Sequence, residues 1–360
     1  MAVWGRQGPA FCMRVFDVKR PNVNLALLLA PYARSAYGTS ETPGDALTVP
    51  FDLPRPRRPV ISLADIPITD LHVTLVPGHP WTPPPDLGVT LRGALGAAIM
   101  DVACVRVHRI CTECEISDCV VPGWYDPGRV NGAALRPFSL EVRHAPGAPI
   151  EPDAGLDLRW TFVGSIPRPS LVQEAIFRAA QIGLGPERVR HRVARVAVGG
   201  AEGPIAVIEY GQEAAPWPGA ARLGDLATLT EPTQGLIVRF TPRVSLTDRG
   251  AHHPPSPADL LRRGVDRIRS VARALGVTLG ERWPDPETVP AEWIDLEFVS
   301  HGRYSRRQGE RIDLSGWRGS AWFGPEIEPF IDLLAALEVL QVGRHTSAGI
   351  GCVSVAPAGA

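Results

Sequence analysis

One order of apolar patterns occurs twice along this chain, and that repetition constrains the fold more than any other feature. In the first half, residues 68–76 read as a strand. A proline-rich loop, HPWTPPPDLG, leads into a helix over 89–107, with Leu91, Leu95, Ala98, Val102 and Val105 at alternating four- and three-residue spacing. Strand-like runs follow at 137–144 and 155–163. Ser170 and Gln173 read as a capping box opening a helix over 171–183, which Gly183 and Gly185 stop. The basic run RVRHRVARVAV, 188–198, closes the half as a strand. The second half begins with LIVRF at 236–240. Ser256 and Pro257 open a helix with the stripe Leu261, Val265, Ile268, Ala272 and Leu275. Strands are expected at 293–299 and 312–323. Pro329 opens a helix that turns Phe330, Leu333, Leu337 and Leu340 inward, and a last strand runs over 349–355. Each half is therefore strand–helix–strand–strand–helix–strand, the split motif of ferredoxin-like (RRM-like) domains. The fold class expected is α+β with two such domains in tandem, the first carrying a zinc-binding insertion.

A chain of 360 residues is long enough for two domains with separate cores. The expected boundaries are an irregular extension over 1–65, a first domain over 66–211, a linker over 212–234 and a second domain over 235–360. Hydrophobic residues at 44% and charged residues at 21% fit a folded soluble chain. No apolar run approaches the ~20 residues needed to cross a bilayer, and the first residues lack the layout of a secretory signal. A cytoplasmic protein with no membrane partner is expected, its six cysteines available for metal rather than bridges.

The net charge of −1 hides an imbalance: Lys19 is the sole lysine, against 36 arginines. Any contact to phosphate must come from arginine, a planar donor fork. Neutral net charge does not exclude nucleic acid, since local stripes matter more than the sum.

Four cysteines form the most specific local pattern. Cys104, Cys111, Cys114 and Cys119 give C-x6-C-x2-C-x4-C. The C-x2-C knuckle sets two thiolates on one ion, and four thiolates complete a tetrahedral zinc shell. Such a shell leaves no position for an activated water, so this zinc is structural. His108, inside the loop, is an alternative fourth ligand; Cys12 and Cys352 are expected to be unligated.

Three arginine-rich or glycine-rich segments bear on binding. The run VGRHTSAGIG, 342–351, joins the last helix to the last strand; Gly343, Gly349 and Gly351 let backbone approach a ligand, and Arg344, His345 and Thr346 add donors. Taken alone, such a segment is more often a plain turn. HGRYSRRQGER, 301–311, sets Arg303, Arg306, Arg307 and Arg311 around Tyr304, which suits clamping a backbone and stacking a base, or a solvated hairpin. Arg188, Arg190, Arg192 and Arg195 alternate along the expected basic strand and so share a face, where only an anionic partner would relieve their repulsion. No Ser-His-Asp order, phosphate-binding P-loop or HExxH pair is present.

Taken in order, these segments resemble the CRISPR-associated precursor-RNA-processing endoribonucleases of the RAMP superfamily, in their zinc-cysteine-containing branch. The resemblance covers about 66–356. It rests on LRGALG (91–96), the cysteines, IGLGPERVRHRVARV (182–196), FTPRVSL (240–246), RYSRRQGERIDLSGWRG (303–319) and VGRHTSAGIG. The first 60 residues have no counterpart in it. It implies that Gly343, Arg344, Thr346, Gly349 and Gly351 hold CRISPR repeat RNA, with zinc as scaffold and no catalytic metal. It implies cleavage by attack of the 2′-hydroxyl on the adjacent phosphate, leaving a 2′,3′-cyclic phosphate and a 5′-hydroxyl; DNA lacks the nucleophile. The base is expected at His108, then His345, then His79. Tyr304, Arg92 or Arg344 would stabilise the developing charge. The alternative is a non-catalytic RNA-binding subunit of a CRISPR effector complex, with other effector subunits as partners; a zinc-stabilised scaffold without RNA is the third reading.

Overall fold

The computed structural model describes residues 58–105, 111, 114, 116, 119–127, 136–144, 147–209, 215–227, 234–246, 252–305 and 310–359. His108, Arg306 and Arg307, and the first 57 residues, lie outside them.

The first half contains β1 (Pro67–Pro77), α1 (Leu87–Ala103), β2 (Phe138–Arg143), β3 (Leu156–Val163), α2 (Pro169–Ile182), β4 (His191–Val198) and β5 (Ile205–Glu209). The sheet order is β2-β3-β1-β4-β5, antiparallel throughout. The second half contains β6 (Leu236–Val244), α3 (Pro257–Ala274), β7 (Ala291–Val299), β8 (Gly302–Ser305), β9 (Glu310–Asp313), β10 (Gly316–Phe323), α4 (Ile331–Leu340) and β11 (Cys352–Pro357). Its sheet runs β7-β10-β6-β11, also antiparallel. In each half the first and third strands of the motif are central and the second and fourth flank them. That is the strand order of the ferredoxin-like motif, met twice.

Each half encloses its own core. Leu91, Leu95 and Ala98 of α1 pack with Leu71, Val73, Phe138, Leu140 and Phe162. Leu261, Val265, Ile268 and Ala272 of α3 pack with Val238, Phe240, Leu333 and Leu337. Burial at about 25 cal/mol per Å² makes these stripes the main source of stability. The stripe of α1 stops at Val102, because the helix ends at Ala103 and Val105 is 78% exposed.

Several expected elements shift. α2 starts at Pro169 with Arg168 at the cap position, so Ser170 lies inside the helix and forms no capping box. Proline at the first position, needing no amide partner, moves the start back two residues. The run over 312–323 is broken at Leu314 and Ser315: its first part pairs with Gly302–Ser305 as the β8–β9 hairpin, and only Gly316–Phe323 enters the sheet. The last strand begins at Cys352, after a left-handed turn at Gly349 and Gly351. Residues 58–65 are not irregular. Val60–Ile61 pairs with Thr278–Leu279, and Leu63 is buried in the second core. Ala221–Arg222, within the expected linker, pairs with Pro67–Ile68, and Leu223 joins the same core. Apolar side chains in a short segment are enough to dock it where a sheet edge is open.

Candidate functional site

The glycine-rich segment is the joint between the halves. Gln341, Gly343, His345, Gly349 and Gly351 all have positive φ. For glutamine and histidine that conformation costs about 1 kcal/mol each or more, and tertiary contacts hold it. Gln341 Nε2 donates to the Leu140 carbonyl of β2 at 2.8 Å. The Gly351 amide donates to the Arg243 carbonyl at 2.8 Å and the Arg344 amide to the Ser245 carbonyl at 3.2 Å. On the other side the loop touches the first turn of α1: a Cβ on Gly88 would strike the Ala348 carbonyl. A cleft of about 540 Å³ opens beside it, lined by Pro83–Gly88, β2, the uncovered face of the second sheet and Ala348–Ile350.

The loop amides are largely committed to the protein. Those of Val342, Arg344, Ala348, Gly349, Ile350 and Gly351 already donate to protein carbonyls. Thr346, Gly349 and Gly351 are buried. These residues shape the loop, while Gly343, half-buried, and Arg344, exposed, face outward. The sequence suggested a cradle of free amides; the loop instead spends most of them on its own strained turn and on the carbonyls of Arg243 and Ser245.

His345 is half-buried in a positive setting. Burial lowers its pKa first, and Arg344, Arg136 and Arg92 lower it further, against a smaller opposing pull from Asp313. The ring is therefore neutral near pH 7 and able to take a proton. Arg92 lies on α1, half-buried, and its carbonyl accepts from the Tyr125 hydroxyl at 3.1 Å. Arg136 reaches Asp126 at 3.3 Å. His79, by contrast, is exposed on the loop after β1, its Nδ1 3.0 Å from the Pro80 carbonyl oxygen, away from this cluster in every contact the structure shows.

The basic hairpin projects from the same end of the second sheet. Arg303 is exposed and pairs with Ile312 across the ladder; Tyr304 sits opposite Arg311. The other arginine group is not one strand face. Arg188 lies in a turn with φ 51°, where a hairpin bridge joins Leu184 and Val189, and β4 begins only at His191. Arg190, Arg192 and Arg195 are exposed. A bulge at Ala194 sets Arg192 and Arg195 three residues apart on the outside, and Arg195 reaches Glu209 at 3.9 Å. For Arg195 a neighbouring carboxylate, rather than an anionic ligand alone, offsets the repulsion.

The cysteines begin one residue beyond α1. Cys104, Cys111, Cys114 and Cys119 are half-buried, and the Cys114 amide donates to the Cys111 carbonyl at 3.3 Å, closing the knuckle's turn. Cys104, Cys111 and Cys119 pack against the first core. Among the described residues no group of three or more His, Cys, Asp or Glu is gathered to hold a metal ion. Cys352 is a packing residue: burial pushes its thiol up to about 12. Among the described residues, no helix is long and apolar enough to cross a membrane.

Sequence reasoning passed over one polar cluster. Asp86, just before α1, accepts from Arg243 Nη2 at 2.6 Å and meets His301 Nε2. Arg243 Nε donates to the Leu314 carbonyl at 2.6 Å. An aspartate before a helix signals a cap, yet this one makes no cap bond, and only the docked second half shows why. Arg136 was also missed; it lies in a stretch with no periodicity.

The family described as AF_1859_N, N-terminal domain, matches residues 66–216, under half of the chain. No curated protein matches the chain in sequence. Among solved structures, a Cas6 product complex is 16% identical with a TM-score of 0.45, covering 81% of this chain and 100% of that one. Thermus thermophilus Cas6 is 17% identical with a TM-score of 0.44, covering 81% and 99%. An RAMP protein binding different RNA substrates is 12% identical with a TM-score of 0.42, covering 80% and 99%. At these values the likeness is one of outline and carries no residue role into this chain.

Proposed function

We propose that the protein is a CRISPR-associated RNA-processing endoribonuclease that binds repeat RNA and cuts it without a catalytic metal. The observation that carries this reading is His345: a histidine kept neutral by burial and by Arg344, Arg136 and Arg92, on a strained loop at the foot of a basic hairpin. A neutral imidazole among guanidinium groups suits a base facing a phosphodiester. It takes the 2′-hydroxyl proton, the 2′ oxygen attacks phosphorus, and the arginines stabilise the added negative charge. The products are a 2′,3′-cyclic phosphate and a 5′-hydroxyl. Arg303, Arg344 and the exposed arginines of β4 would hold the backbone, with the salt dependence that phosphate contacts bring.

His108 is the competing base, and His79 has the least support. Zinc on Cys104, Cys111, Cys114 and Cys119 belongs to the proposal as a scaffold; metal analysis of purified protein should find about one zinc per chain, lost on Cys111→Ser.

The test is incubation with the repeat RNA of the protein's own locus in EDTA, followed by sequencing of the product ends. A single cut leaving a cyclic phosphate is expected, with His345→Ala slower by about 10²–10⁴-fold at unchanged RNA affinity. Full activity in His345→Ala and loss in His108→Ala would move the base to His108. Tight binding with intact RNA would make the protein an RNA-binding effector subunit.

A further inference from the structure

The reaction above needs a second proton transfer. The leaving 5′ oxygen must be protonated while His345, acting as base, is taking up the 2′ proton, so a separate acid serves that step best. The foot of the basic hairpin holds a second histidine in a different setting. His301 Nε2 meets Asp86 Oδ2, and Asp86 Oδ1 is fixed by Arg243. The backbone of His301 is fixed as well: Ser315 Oγ accepts from its amide at 2.9 Å and donates to its carbonyl at 3.1 Å. Asp86 and Arg243 have only 14% and 6% of their side chains exposed, while His301 keeps 31%. A carboxylate on one ring nitrogen fixes the orientation of the ring and leaves Nδ1 on its other side.

Three further facts tie this pair to the site. Asp86 comes from the first half and lines the cleft beside the glycine-rich loop. Arg243 accepts the Gly351 amide on its carbonyl, so the strand residue that fixes Asp86 also fixes the loop carrying His345. Asp313, which pairs with Gly302 next to His301, lies within electrostatic reach of His345. The two histidines share one neighbourhood, one held neutral by cations and the other paired with a carboxylate.

We propose that His301, oriented by Asp86 and Arg243, is the general acid that protonates the leaving 5′ oxygen. The assignment rests on the ribonuclease reading. As the bond from the 2′ oxygen to phosphorus forms and the bond to the 5′ oxygen breaks, His345 gains the 2′ proton and His301 gives its Nδ1 proton to the leaving oxygen. Exchange with water restores both. Asp86 and Arg243 are positioning residues.

The test replaces the 5′ oxygen at the mapped cut site with sulfur, since a thiolate leaves without being protonated. His301→Gln should cut ordinary RNA about 10²–10⁴-fold more slowly than wild type and the 5′-thio RNA at a near wild-type rate. Asp86→Asn should show a smaller loss and the same rescue. His345→Ala should be slow on both substrates. Rescue also shows that the variant is folded, because an unfolded protein would cut neither RNA. His301→Gln cutting ordinary RNA at the wild-type rate, or equally slow on both substrates, overturns the assignment alone. Wild-type protein that cuts neither RNA overturns the ribonuclease reading and the assignment with it.

Discussion

Asp70 in the first half and Arg267 in the second are both buried charges within the same motif. Asp70, on β1, is 1% exposed and accepts from Arg159 Nε at 2.9 and 3.0 Å and from Thr161 Oγ1 at 2.9 Å, with His72 Nε2 at 3.0 Å. Burial alone would raise its pKa; hydrogen bonds from His72 and Arg159 outweigh it and bring the carboxyl to about 2. Arg267, on α3, is 9% exposed. It donates from Nη2 to the Leu340 carbonyl at 3.3 Å, and its buried Nε has no partner. Burial pulls it down to about 10. A buried charge is supported by its partners rather than by its position. The first half provides them from neighbouring strands, where β1 and β3 bring Asp70, Arg159 and Thr161 onto one face. On the second half's helix, among the described residues, the end of α4 supplies the acceptor.

The largest expected effect follows from breaking the supported pair. Asp70→Ala leaves Arg159 in the buried face without its main acceptor and should cost about 3–5 kcal/mol in denaturant unfolding. A loss under 1 kcal/mol would mean the cluster is hydrated. The same carboxyl sets an acid dependence. Its folded pKa of about 2 lies below the ordinary 3.8, so its contribution of about 2 kcal/mol is present above roughly pH 4 and lost as pH falls towards 2. Melting across pH 2–5 should show that slope, and Asp70→Asn should flatten it.

The helix starts sharpen the contrast between halves. Ser256 Oγ accepts from the Asp259 amide at 3.2 Å, and Asp259 accepts from the Ser256 amide at 2.8 Å. Ser256→Ala should cost about 1 kcal/mol, whereas Ser170→Ala, inside α2, should cost almost none. The smallest effect is expected at Arg267. Replacing this poorly supported charge with methionine should leave the melting temperature unchanged or raise it; a large loss would show that its single carbonyl bond matters more than its burial.

Much of the fold was legible because it follows from periodicity. The stripe Leu261, Val265, Ile268 and Ala272 places α3 and its buried face correctly, and WIDLEFV marks β7. Ser256 before Pro257 locates a helix start because the cap is a local bond. Ser170 misled for the same reason: a proline one residue earlier satisfied the start differently. The candidate site was legible only as segments. The glycines of 342–351 marked a turn or a ligand loop but not that most of its amides would bond to protein carbonyls.

By itself the sequence determined the number of motifs, the order of the six core elements in each, and the inward faces of α1, α3 and α4. These depend on residues a few positions apart. Tertiary structure alone decided that Asp86, Arg243 and His301 meet, that Arg92 and Arg136 come within electrostatic reach of His345, that residues 60–63 and Leu223 dock on the second half, and that Ala221–Arg222 pair with β1. Most of those contacts join positions far apart along the chain. No local pattern encodes them, because they form only when both cores have closed and brought the chain ends of separate elements into one place.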